Sequence, residues 1–197
     1  MSCHIVYPAS GQLRGTILAF HGGNFSGGSV LYDRAQNEQL AARGYQVVQL
    51  DFPKTWDAFQ EFNACSIVED NKRDTIPVYC IGRSSGGFLA KVYQSTHNII
   101  QHTLYLAPVF YPLERAQHLP KYEAGTRAFF GTDPNLSAWA WNPTRETVWQ
   151  AKHDDHGLAF PDEIVQYFPG PQTHTGLVTN SSAYFIDAID SLFSRTK

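Results

Sequence analysis

Basic residues are scarce and scattered in this 197-residue chain. Lys and Arg together number 15 against 18 Asp and Glu, for a formal net charge of -3, and no basic run occurs. A protein built to hold nucleic acid or an anionic membrane wants a clustered basic face, so both partners are disfavoured. Long apolar runs are missing as well. No segment approaches the roughly 18 consecutive apolar residues needed to span a bilayer. The start, Met1 to Pro8, has no basic stretch leading into an apolar one, so no secretory signal is read there. Cysteine is sparse: Cys3, Cys65 and Cys80 are an odd set that fits reduced thiols better than a disulfide framework, and their spacing does not suggest a zinc site. The expectation is a cytoplasmic protein with no metal, no cofactor and no membrane span. Its oligomeric state is left open.

What is present is a globular composition, 43% hydrophobic and 17% charged, in a length suited to one domain over residues 1–197. There is no repeat, low-complexity tract or linker. Short β-rich apolar runs alternate with amphipathic stretches, which points to an α/β fold with a mostly parallel sheet. Strands are expected at 16–20, 45–51, 75–82, 103–107, 127–131 and 164–168. Helices are expected at about 31–43, closed by Gly44, at 56–71, at 85–96 and at 182–194. In the last of these, Phe185, Ala188, Ile189 and Leu192 form one apolar stripe. The stretch 134–162 carries Trp139, Trp141 and Trp149 and reads as a helix, a small lid, or both.

Gly82-Arg83-Ser84-Ser85-Gly86-Gly87 contains the pattern G-x-S-x-G. A buried strand enters it and an amphipathic helix leaves it. Such a turn is tight enough that its flanks take only small residues. It lifts the Ser84 hydroxyl clear of the sheet at a helix N-terminus, with the Ser85 N–H aimed at a developing oxyanion. The plainer reading is a glycine-rich packing turn. A phosphate loop is disfavoured, because neither G-x-G-x-x-G nor Gly-Lys-Ser/Thr is matched.

On these residues the chain resembles the α/β-hydrolase superfamily over nearly its whole length. His21-Gly22-Gly23 resembles that family's oxyanion loop, Leu40 to Pro53 its helix-then-strand segment, and Gly82 to Gly87 its nucleophile elbow. Phe129-Phe130-Gly131-Thr132-Asp133 resembles the strand end that delivers the acid. Pro169 to His174 resembles the loop that delivers the base, and the order Ser, Asp, His is the family's. The resemblance implies helices on both faces of a central sheet of about six core strands, with little or no cap domain. His21-Gly22-Gly23-Asn24 lacks the third glycine of the H-G-G-G pattern.

The implied site is Ser84 as nucleophile, His174 as base and Asp133 as acid, with the N–H groups of Ser85 and of Gly23 or Asn24 as oxyanion donors. His153 and His156 are rival bases. Asp154, Asp155 and Asp162 are alternative acids, Asp154 and Asp155 otherwise reading as a solvated helix surface or turn. His21 reads as a residue that orders its loop. Phe25, Phe52, Trp56, Phe110 and Tyr111 follow strand ends, and line an apolar pocket or belong to the core. Arg83 either pairs with a structural carboxylate or meets an acidic substrate. The expected function is cleavage of an ester or other acyl bond in a small-molecule substrate, through a carboxylesterase-like or thioesterase-like acyl-enzyme. A peptidase, amidase or lyase on the same triad and a non-catalytic binding protein on this scaffold are the alternatives.

Overall fold

A computed structural model describes residues 4–63, 76–131, 142–154, 165–170 and 173–196. Its elements in chain order are β1 (His4–Tyr7), β2 (Gly15–Phe20), α1 (Arg34–Ala42), β3 (Tyr45–Leu50), α2 (Trp56–Asn63), β4 (Val78–Arg83), α3 (Ser85–Thr96), β5 (Ile100–Leu106), α4 (Pro112–His118), a 3₁₀ turn (Pro120–Tyr122), α5 (Glu123–Phe130), β6 (Glu146–Gln150), β7 (Val165–Tyr167), α6 (His174–Val178) and α7 (Ala183–Arg195). The strands form one sheet in the order β1-β3-β2-β4-β5-β6-β7. Every pairing is parallel except that of β1 with β3. Among the described residues no helix is long and apolar enough to cross a membrane.

The central strands are buried on both faces, and their alternating side chains feed two cores. Leu18, Phe20, Val78 and Cys80 point to one face, where Phe88, Leu89 and Val92 of α3 and Phe129 of α5 cover them. Ile17, Ala19, Tyr79 and Ile81 point to the other, under Leu40 of α1 and Phe185, Ile189 and Phe193 of α7. The apolar stripe read in the last helix is thus the one that closes the second face. Ser182 caps α7, its hydroxyl accepting from Phe185 N at 3.4 Å.

Several elements depart from the sequence reading. Residues 127–131, expected as a strand, lie at the end of helix α5, and Gly131 closes that helix at φ +70°. The aromatic pair that looked β-like is half of a helical stripe: Thr126, Phe129 and Phe130 are the buried positions of α5, at i, i+3 and i+4. The strand that follows β5 in the sheet is instead β6, inside the stretch 134–162 expected as a helix or a small lid. It pairs in register with β5, Thr103 opposite Glu146 through Leu106 opposite Trp149. The antiparallel edge strand β1 was also not anticipated.

Candidate active site

The elbow owes its shape to glycine. A Cβ on Gly86 would stand 2.4 Å from His21 O and 2.5 Å from Phe20 O, and one on Gly82 would stand 2.7 Å from both Ala90 Cβ and Gly87 Cα. Helix α3 therefore presses against the ends of β2 and β4 with no room for any side chain at the contact. Ser84 between them holds φ +51°, ψ -122°, a costly conformation for a residue with a Cβ. It is maintained by hydrogen bonds: Ser84 N donates to Leu106 O at 3.0 Å, and Ser84 O accepts from Gly87 N at 2.9 Å and Val109 N at 3.0 Å.

His174 begins α6, a helix capped by Thr173, whose hydroxyl accepts from Gly176 N at 3.2 Å. That short helix replaces the open loop expected there. The imidazole Nε2 lies 2.8 Å from Ser84 Oγ. Its Nδ1 lies 3.0 Å from each carboxylate oxygen of Asp154. Asp154 follows β6 by four residues and also accepts from Gln150 Nε2 at 2.8 Å. The Asp154 side chain is 4% exposed and that of His174 7%. A carboxylate on Nδ1 fixes the tautomer with a proton there, leaving Nε2 as acceptor for the serine O–H.

The position reserved for Asp133 is therefore held by Asp154. Asp133, Asp155 and Asp162 lie outside the described residues, as does His156, and His153 is an exposed turn residue. The physical reason for the change is the strand assignment. Asp154 reaches the histidine from the end of β6, the strand that pairs with β5, whereas 127–131 lie at the end of helix α5.

The loop after β2 packs on the elbow, for a Cβ on Gly22 would come 3.1 Å from Ser84 Cβ. Asn24 and Phe25 adopt φ +54° and +65° there. His21 anchors the loop. It stacks on Phe52 at 4.3 Å between ring centroids, its Nδ1 donates to Gly22 O at 2.6 Å, and burial holds its pKa below the usual histidine range, so the ring is neutral. Gly23 and Asn24 line the same cavity as Ser84, and Ser85 is the first residue of α3, where a helix leaves its N–H without an intrahelical partner.

A cavity of about 370 Å³ opens over these groups, walled by Gly22, Gly23, Ser84 and His174 and by polar side chains of Asp33, Arg83, Arg115 and Tyr122. Of the aromatic residues expected in a pocket or the core, Phe25 and Phe52 are core residues, Trp56 and Phe110 pack against the core, and Tyr111 is 38% exposed. Arg83 is 1% exposed. Its Nε donates to Gln36 Oε1 at 2.7 Å and its Nη2 to Asn37 Oδ1 at 3.2 Å, and Asp33 lies 3.5 Å from Nη1. The structural partner is thus present for Arg83. Arg115 and Tyr122 escaped sequence reasoning, because they stand nine and sixteen residues past the end of β5 at Leu106.

No family model and no curated protein matches the sequence. Solved structures do match. Esterase 2 of Thermogutta terrifontis, in a form phosphonylated by sarin, is 17% identical over 98% of this chain and 89% of its own, at a TM-score of 0.71. Est1E from Butyrivibrio proteoclasticus is 14% identical over 98% and 93%, at 0.65. A Staphylococcus aureus protein of unknown function is 16% identical over 98% and 94%, at 0.67. The chain has the α/β-hydrolase fold over nearly its whole length.

Proposed function

We propose that the chain is a serine hydrolase that cleaves an ester or other acyl bond through an acyl-enzyme. The observation that carries this reading is the line of contacts from Ser84 Oγ to His174 Nε2 and from His174 Nδ1 to Asp154. Ser84 Oγ attacks the acyl carbon while its proton passes to His174 Nε2. Asp154 stabilises the imidazolium so formed. The N–H groups of Ser85 and of Gly23 or Asn24 receive the oxyanion. The imidazolium then protonates the leaving alcohol or thiol, and water, deprotonated by the same imidazole, releases the acid. The name of the Thermogutta terrifontis esterase 2 and its phosphonylated state favour an ester as the bond cleaved.

The test pairs turnover with covalent labelling. The native protein is expected to hydrolyse short 4-nitrophenyl esters and to take up one equivalent of a fluorophosphonate at Ser84. Ser84→Ala is expected to lose the label and about six decades of turnover, as nucleophile knockouts do. A folded native protein that neither labels nor turns over any ester in a chain-length panel would overturn the reading in favour of a binding protein.

A further inference from the structure

Three buried polar atoms of residues walling the cavity lack a hydrogen-bond partner among the described residues: Asp33 Oδ2, Arg83 Nη1 and Arg115 Nε. The first two face one another at 3.5 Å, and their opposite charges offset. Arg115 is different. It is 3% exposed, and its described contacts are with Asn24 and Tyr122. Nη1 donates to Asn24 Oδ1 at 3.1 Å, and the guanidinium carbon stands 3.8 Å from the centroid of the Tyr122 ring. No carboxylate among the described residues forms an ion pair with it. The acid that acts on it from a distance, Asp154, is held by His174 and Gln150. A guanidinium does not lose its proton in a protein. Among the described residues Asp154 is the opposite charge near it and makes no ion pair with it, so a guanidinium that lines the cavity keeps donor capacity that an acceptor bound there can use.

We infer that the cavity takes an acyl substrate bearing a carboxylate, which Arg115 binds while Ser84 attacks the ester carbon. This deepens the serine-hydrolase reading and rests on it. The planar fork of arginine matches a carboxylate's two oxygens, and a volume near 370 Å³ suits a small ligand. Arg83, the cation that stands beside the nucleophile in sequence, is already matched by Asp33, Gln36 and Asn37. The recognising charge therefore comes from the segment between β5 and β6. The substrate carboxylate takes no part in bond-making.

The experiment compares monoethyl glutarate with its primary amide, the same ester without the charge. Binding is measured by titration calorimetry to the full chain carrying Ser84→Ala, so that no turnover intervenes. A charged hydrogen-bonded contact implies binding of the half-ester about ten- to a hundredfold tighter. The preference should collapse toward one with Arg115→Gln added and persist in part with Arg115→Lys, whatever happens to absolute affinity. Equal binding of the two esters overturns the inference. So does a preference that survives Arg115→Gln, or an equal loss for both esters, which would mark Arg115 as a residue that only positions Asn24. Tight binding of the half-ester without its hydrolysis by the native protein would sustain Arg115 as a carboxylate site while removing the serine-hydrolase reading.

Discussion

Asp154→Asn isolates the acid. The carboxylate stands 3.0 Å from Nδ1 through both oxygens, and the substitution removes its charge at nearly constant shape. Two losses follow. Unit charges about 4 Å apart at an effective dielectric near 20 attract by about 4 kcal/mol, and that stabilisation of the imidazolium disappears, which is roughly three decades of rate. The second loss depends on Gln150. Its Nε2 donates to Asp154 Oδ2, so the new amide turns its carbonyl toward Gln150 and its NH2 toward Nδ1. The imidazole is then forced into the tautomer that cannot accept the serine proton. Rotation of the Gln150 amide would relieve this, because its Oε1 has no partner among the described residues. The expected fall in kcat is therefore about 10³ if Gln150 turns and about 10⁴, the cost of the corresponding change in a well-studied serine protease, if it does not. KM should move little. Steady-state hydrolysis of a neutral 4-nitrophenyl ester, with active sites counted by fluorophosphonate, measures it. Asp133→Asn should stay close to native. A kcat for Asp154→Asn within tenfold of native, with Asp133→Asn down by decades, would refute the assignment of the acid and the role given to β6.

Two further outcomes concern stability. Lys91 and Glu146 form a buried ion pair, with Tyr105 OH and Asn142 N also donating to the carboxylate at 2.7 Å. Lys91→Met should destabilise by about 3–5 kcal/mol because it strands the carboxylate, and Lys91→Met with Glu146→Gln should recover most of it in urea unfolding; no recovery would disprove the pairing argument. His21 and His102 are both held below the ordinary histidine value of 6.5 by burial. Below about that pH the unfolded chain binds protons that the folded one refuses, so stability should fall as pH drops from 6.5 toward the lower folded values. His102→Gln, which keeps a partner for Thr147, should make that slope shallower.

How much of this was legible in the chain follows from how local each signal is. Ser84 was readable because the strand, the elbow and the helix are consecutive, and the glycines that close contacts demand stand within three residues of it. His174 was readable from its place between the last strand and the last helix. Even the error at 127–131 had a local remedy, since Gly131 and the stripe Thr126, Phe129, Phe130 are helix signals. The acid had no such cue. Glu146–Gln150 is short, and all five of its residues are buried, so it has no polar alternation to announce a strand. It is defined by pairing with β5, a contact some 40 residues distant in sequence. The wall of the cavity is tertiary in the same sense. Arg115 meets Asn24 across 91 residues, and neither neighbourhood names the other. The sequence by itself determined the class of fold and marked the candidate nucleophile and base, because strand period, helix period and turn sterics act over a few residues. The carboxylate beside His174 and the groups that wall the cavity were decided by tertiary structure alone, because strand order and register bring together groups that no local rule connects.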